Sequence, residues 1–500
     1  MNSPRYPSLY QINTRVWLTE LSRKLGKRAT LDDIPDAELD RLAKMGFDWI
    51  WLLSVWQTGP AGRKVSRTNP EWRREFHETL PDLQDEDIPG SGFAITAYDV
   101  HRDLGGDAAL ARLRAKLKKR GLNLMLDFVP NHTGLDHTWV EEHPEYYIHG
   151  SELDQARAPH NYTWAKRKSG DLLLAYGRDP YFAGWPDTWQ LNYGNPAAQE
   201  ALIAVLEKVA GQCDGLRCDM AMLVLPEVFE RTWGVKSQPF WPTATQRVRR
   251  KVPGFCFMAE VYWDMEWTLQ QQGFDYAYDK RLYDRLRDRH ARPVREHFLA
   301  DLDYQNQLAR FLENHDEPRA AVAFPPGVHE AAAVITFLSP GLRFFHQGQF
   351  EGRKKRISPH LGRAPNEPAD PAVLQFYERL LAVLRQKVVR DGRWQLLECA
   401  PAWEGNWTND CFVACAWQNG KGERLLAVVN YAPNQSQCRL RLPSLGLAGK
   451  SWRLNDQLSS ASYDRDGNEL DSHGLFLDMT PWQACVFSLT AEPASTFESR

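Results

Sequence analysis

Between residue 8 and about residue 390 the chain alternates short apolar runs with helical stretches. This rhythm restricts the fold more than any other feature, because repeated strand–helix units bury both faces of their strands only in a parallel sheet. Eight runs read as strands: SLYQINTRVWL (8–18), FDWIWLLSVW (47–56), LNLMLDFV (122–129), CDGLRCDM (213–220), GFCFMAEVY (254–262), FDYAYD (274–279), LARFLEN (308–314) and LRFFHQ (342–347). The helices between them carry start signals. In GNPAAQEALIAVLEKVAG, Asn195 is placed to cap, Pro196 sits in the first turn, and Leu202, Val205, Leu206 and Val209 share one face. A second such helix is predicted over 106–120. Eight strands with right-handed crossovers close most economically into a (β/α)8 barrel, an α/β fold, with an open doubly wound sheet as the runner-up.

Two stretches break the rhythm. Residues 133–192 are rich in Trp, Tyr, His, Pro and Gly without long periodicity and read as a subdomain inserted after strand 3. From 393 onward short alternating strands separated by turns predict a C-terminal antiparallel β-sandwich with no further helix, ending in a loose tail, AEPASTFESR. The expected division is therefore a barrel over 1–132 and 193–392, the inserted subdomain over 133–192, and the sandwich over 393–500. A chain of 500 residues is too long for a single core, in keeping with this division.

With 61 basic and 64 acidic residues the formal charge is −3, which gives no long-range attraction to nucleic acid or anionic lipid. No apolar run approaches membrane-spanning length, and MNSPRYPSLYQINTRVW lacks the layout of a secretory leader, so a cytoplasmic setting is expected. The eight cysteines contain no CxxC and read as reduced, buried and inert. Nineteen tryptophans are many for such a chain, and flat rings suit the apolar faces of sugars, although any one of them taken alone reads as core. Nothing in the sequence speaks to oligomeric state.

In a barrel the functional rim lies at the C-terminal ends of the strands, and here those ends are polar. Strand 3 ends in Asp127-Phe-Val-Pro-Asn131-His132, strand 4 in Arg217-Cys-Asp219, strand 5 in Glu260 and strand 7 in Asn314-His315-Asp316. Any one of these alone reads as a helix cap or a solvated side chain. Together they place carboxylates, an arginine and two histidines on one rim, at a desolvation cost that a purely structural role does not offset. Glycosidic cleavage needs one carboxylic acid to protonate the leaving oxygen and one carboxylate to attack the anomeric carbon. Arg217, two residues before Asp219 on the same side of the strand, is placed to orient it, and Glu260, between Met258, Ala259 and Val261, is the candidate for a raised pKa.

The segments DFVPNH, GLRCDM, FMAEVYW and FLENHD, in this order, resemble the conserved regions of glycoside hydrolase family 13, the α-amylase family. The resemblance implies Asp219 as covalent nucleophile, Glu260 as general acid/base and Asp316 as the carboxylate that grips the sugar. It also implies Arg217, His132, His315 and Asp127 around the reacting ring, with Phe93 stacking on the sugar where Tyr is usual. Trp189-Gln190-Leu191-Asn192 resembles the family's fifth region. Met222 and Leu223 depart from it, standing where many amylases carry Lys and His. Ala94 and Ala97 stand where relatives acting on short substrates often carry Asp. Asn131 matches a calcium ligand of many amylases, and a bound Ca2+ and a plain structural asparagine are equal readings; no other cofactor is implied. The run Arg353-Lys354-Lys355-Arg356 reads as a solvated face, with an anionic acceptor as the lesser reading. The expected function is a retaining α-glycoside hydrolase of α-glucans, maltooligosaccharides or small α-glucosides. The alternatives are a transglycosylase, phosphorylase-like enzyme or isomerase sharing the covalent intermediate, and a non-catalytic sugar-binding barrel.

Overall fold

The computed structural model describes residues 4–442 and 445–491. Eight parallel strands form a closed barrel: β1 (Ser8–Asn13), β2 (Trp49–Leu53), β3 (Asn123–Phe128), β4 (Gly215–Cys218), β5 (Cys256–Ala259), β6 (Tyr276–Tyr278), β7 (Leu308–Arg310) and β8 (Leu342–His346). Closure is made by β1, which pairs with β2 through Leu9 and Trp49 and with β8 through Ser8 and Arg343. Each strand falls inside one of the eight apolar runs, because a strand covered on one face by helices and on the other by the barrel interior needs apolar residues on both.

The first run is overextended in the sequence reading. The strand stops at Asn13, whose side chain accepts a hydrogen bond from the Val16 amide and opens a helix over Thr14–Leu25. The helix after the inserted segment spans Pro196–Ala210 and is capped by Asn195, as its sequence predicts; replacing such a cap with Ala costs about 1 kcal/mol. The other predicted helix spans Gly106–Lys118.

The inserted segment is held to the barrel by a two-stranded ribbon, His132–Gly134 against Thr188–Gln190, with a second ribbon, Tyr162–Ala165 against Leu172–Ala175, further out. The Trp189 indole N–H donates to the Leu135 carbonyl and fixes the inner ribbon at the β3 rim.

A second excursion, between β2 and β3, was not anticipated: two short helices, Pro60–Thr68 and Pro70–Thr79, make a hairpin beside the rim. The signals are present in the sequence. Asn69 caps the second helix through the Glu71 and Trp72 amides, and Pro60 and Pro70 each sit in a first turn. The hairpin packs on the segment after β8 through its own apolar cluster of Phe76, Leu80, Leu83, Ile88 and Leu361. Arg363 ties the same two segments by hydrogen bonds to Asp82 and Asp87.

Beyond residue 393 a six-stranded antiparallel sheet faces a three-stranded one across a separate apolar core that includes Phe412, Leu426, Cys438, Trp452 and Leu477. This is the expected sandwich, except that a short helix, Gly467–Ser472, capped by Asp466, interrupts it where no helix was expected. It joins the barrel through the Trp417 indole, which donates to the Leu338 carbonyl at 2.9 Å. The proposed tail lies, beyond Ala491, outside the described residues. All eight cysteines are unpaired; Cys399 and Cys415 are only partly buried and the other six are buried as expected. Among the described residues no helix is long and apolar enough to cross a membrane.

Candidate active site

The site is organised from below by one arginine. Arg217 and Asp219 are two residues apart across the end of β4 and so point to the same side, into the barrel mouth. The Arg217 side chain is wholly buried. Its Nη1 donates to Asp219 Oδ1 at 2.6 Å, its Nη2 donates to Glu260 Oε2 at 2.6 Å, and Nη1 lies 3.6 Å from Asp127 Oδ1. The rings of Phe93, Trp51 and Tyr278 lie 5.3, 5.4 and 5.9 Å from its guanidinium carbon. A guanidinium suits this place because its fork reaches two carboxylates at once while its faces rest on aromatic rings.

Glu260 follows β5 and is fully enclosed. Besides Arg217, its Oε2 accepts from the Met220 amide at 2.7 Å and its Oε1 accepts from the Tyr262 hydroxyl at 2.8 Å. Met220 can aim its amide there because it adopts the left-handed conformation, φ +42°, a strain that a non-glycine residue carries only where the surroundings enforce it. Burial pushes the Glu260 pKa well above the usual carboxylate range. Arg217 pulls it down, while Asp219 and Asp316 add to the rise. Asp127 behaves alike: burial lifts it to about 7 against the pull of Arg217.

A cavity of about 300 Å³ opens above this floor, within the range of small-ligand sites. Asp219, Glu260, Asp316, His132, His315 and Phe93 all border it. Asp316 is set by the turn after β7, where its amide donates to Asn314 Oδ1 at 2.8 Å. His315 Nδ1 is 2.9 Å from the Gln11 amide nitrogen, and its Nε2 lies 3.0 Å from Asp316 Oδ2 without good hydrogen-bond alignment. Phe93 stacks on the His315 ring at 5.3 Å. Burial lowers His132 to about 4 and holds His315 well below the ordinary imidazole range, so both imidazoles are neutral near pH 7 and present hydrogen-bonding groups rather than cations to the cavity. Of the residues expected around the sugar, Arg217 and Asp127 lie beneath the cavity rather than in its wall. Arg217 acts on the two carboxylates above it, and Asp127 is held by the Ser54 amide at 3.4 Å.

Several wall residues escaped the sequence reading. Trp72 comes from the hairpin, Trp185 and Asp187 from the inserted segment, Tyr262 from just beyond Glu260, and His360 from the segment after β8. His360 is locked by Ser66 Oγ, 2.8 Å from its Nδ1, and packs against Trp72 at 4.5 Å. Only Tyr262 sits within a motif that marked the rim; Trp72 lies on the second helix of the hairpin, which the strand–helix rhythm does not reveal, and Trp185, Asp187 and His360 come from irregular chain, where no periodicity points to an inward face.

Asn131 stands apart from the cavity, and its surroundings do not fit a cation. The Gln190 Nε2 lies 3.0 Å from the Asn131 carbonyl, the Asn131 Oδ1 and the Leu191 carbonyl, so an amide donor occupies the point on which these oxygens converge. Among the described residues no three His, Cys, Asp or Glu side chains gather as a metal-binding group. Exhaustive chelation with EDTA is therefore expected to leave the Tm unchanged, since a ligand bound only to the folded state would raise it. A fall in Tm restored by added calcium would overturn this. The basic run is also engaged locally. Arg356 donates to the Asp316 carbonyl at 3.3 Å and bonds Glu75, Lys355 Nζ donates to the Glu78 carbonyl, and the Lys354 and Lys355 amides donate to Glu367.

A model of the α-amylase catalytic domain matches residues 30–370. The chain belongs to the α-amylase family. Among relatives of this α-amylase family chain, Alpha-amylase MalA from Haloarcula japonica is 25% identical over 357 residues, covering 70% of this chain and 44% of that protein. Alpha-amylase 3 from Dictyoglomus thermophilum is 23% identical over 290 residues, 53% of this chain and 54% of that one. The chain thus spans about half the length of the curated relatives it matches. The crystal structure of a maltogenic α-amylase, AmyB, from Thermotoga neapolitana superposes with a TM-score of 0.69 at 17% identity, over 97% of this chain and 98% of that one, which shows the shared fold.

Proposed function

We propose that the protein is a retaining α-glycoside-active enzyme, acting on α-glucans, maltooligosaccharides or small α-glucosides through a covalent glycosyl-enzyme intermediate. One observation carries this reading: a single buried guanidinium joins Asp219 and Glu260 side by side at a cavity that Asp316 also borders. A retaining mechanism needs its two carboxyl groups only about 5–5.5 Å apart, and one guanidinium fork bridging both favours such closeness.

In the first step Glu260 protonates the glycosidic oxygen as it leaves, and Asp219 attacks the anomeric carbon through an oxocarbenium-like state that the surrounding carboxylates stabilise. Forming the ester removes the negative charge of Asp219. Repulsion from that charge helps to raise Glu260, so its pKa falls and the residue is ready to take a proton from the incoming hydroxyl in the second step. The neutral His132 and His315 are left to bind sugar hydroxyls, and Asp316 to grip the ring. Eight unpaired cysteines fit a reducing compartment, which supports a cytoplasmic setting.

The first product from maltotriose or another short α-glucan, followed by proton NMR, is expected to carry the α configuration; an initial β-anomer would rule out the double displacement. The same assay with added acceptor sugars or phosphate separates hydrolysis from transfer, which share the intermediate. Absence of turnover over a broad α-glucoside panel would favour the non-catalytic barrel.

A further inference from the structure

Asp187 borders the cavity with Asp219, Glu260 and Asp316, yet the chemistry above gives it no task. Its side chain is almost wholly enclosed, at 3% exposure, and its Oδ2 has no hydrogen-bond partner among the described residues. Burial lifts its pKa to about 7, opposed only by its own backbone amide, so no basic side chain compensates it. A carboxylate kept for the fold alone would be supplied with donors, since an unsatisfied buried acceptor is costly.

Its position is nonetheless firmly set. It directly precedes the Thr188–Gln190 strand that pairs with His132–Gly134, and Trp185, two residues earlier, packs on the His132 ring at 5.2 Å. From behind it is backed by the hairpin. A Cβ built on Gly62 would come within 3.8 Å of the Asp187 Cβ and 3.6 Å of the Ala94 methyl. The inserted segment, the hairpin and the Phe93 segment therefore meet at Asp187, with room for about a methyl group between Gly62 and its neighbours. The hairpin is itself braced against the segment after β8 by a shared apolar cluster. What the carboxylate lacks is a donor, and the cavity is the side from which one can come.

We infer that Asp187 is a specificity-determining residue that accepts hydrogen bonds from hydroxyls of the sugar ring whose anomeric carbon is attacked, and that the wall behind it suits the site to chain ends and short α-glucosides. This rests on the function proposed above. Sugar hydroxyls are the right partners: they donate without carrying charge, and a fixed, desolvated acceptor distinguishes a ring that supplies the hydrogen bond from one that does not.

The test compares wild type with Asp187→Asn and Asp187→Ala on p-nitrophenyl α-glucoside and its 3-, 4- and 6-deoxy analogues. Both variants are expected to fold with a Tm at or above that of wild type. Their kcat/KM on the parent glucoside should fall by about 10–100-fold, the usual worth of a hydrogen bond to a charged group. On at least one deoxy analogue, wild type and variants should be indistinguishable, because the lost partner is already missing. An equal loss on the parent and on every analogue, or no loss at all, overturns the inference. So does a wild type that cleaves maltooligosaccharides internally and ignores the glucoside. A wild type inert toward every α-glucoside sinks the proposed function and this inference together, whereas an active wild type indifferent to residue 187 sinks the inference alone.

Discussion

Glu260→Gln is expected to lower kcat by about 10²–10⁴-fold, the usual contribution of a general acid/base, and Asp219→Asn by at least as much, since it removes the attacking group itself. The two losses should differ in how they depend on the substrate. A leaving group such as a nitrophenolate needs little protonation, so the first step of Glu260→Gln should be largely restored on aryl glucosides, while Asp219→Asn stays inactive on all of them. Wild-type activity should also show an alkaline limb above the ordinary carboxylate range, because burial keeps Glu260 protonated there. That limb should vanish in Glu260→Gln. Near-wild-type kcat in either variant, measured on the best substrate with an unchanged far-UV spectrum, would remove the assignment.

Arg217→Met is expected to be the most destabilising single change at the site. The guanidinium is wholly buried and holds Asp219 and Glu260 at 2.6 Å each, with Asp127 at 3.6 Å. Removing one partner of a buried ion pair costs about 3–5 kcal/mol, because the remaining charge is left enclosed and unpaired. The loss should depend on pH in a definite direction. Without Arg217, the pKa values of Asp127 and Glu260 in the folded state rise further above their unfolded values. Groups raised in this way contribute stability that is present below the unfolded pKa and lost as pH rises through the folded one. The deficit in urea midpoint should therefore be smaller at pH 5 than at pH 8. Arg217→Lys keeps one charge but not the fork, and should restore part of the stability and little of the turnover. A pH-independent deficit, or one that shrinks toward alkaline pH, would show that the carboxylates are not what the arginine compensates.

The barrel was legible in the sequence because every one of its strands is buried on both faces and reads as a short apolar run, set off from its neighbours by helical stretches. Its reading failed where a polar residue ends a strand without ending the apolar pattern. Asn13 turns β1 into a helix, yet Val16 and Leu18 remain buried on the new element, so the run looked longer than the strand. The carboxylates were legible for a related reason: Asp219 and Glu260 follow apolar strands directly and Asp316 closes the FLENHD segment a few residues beyond β7, and a charge at the end of an apolar run stands out. Asp187 and His360 do not stand out. They reach the same cavity from irregular segments, where burial is decided by contacts with distant chain rather than by a local period. Asp127 was placed on the correct strand, but the layer it occupies depends on how far β3 rises relative to β4, and a single sequence does not record that stagger.

The seam between β1 and β8 links Ser8 to Arg343. The rim therefore has no complete outline until the last of the eight strands has docked beside the first. During synthesis, the first strand must wait through most of the polypeptide with one hydrogen-bonding edge open, and β7 presents another until its neighbour arrives. Such unsatisfied edges recruit other chains, so the yield of native protein should depend on how quickly this final register is found and on whether a chaperone shields the nascent chain meanwhile.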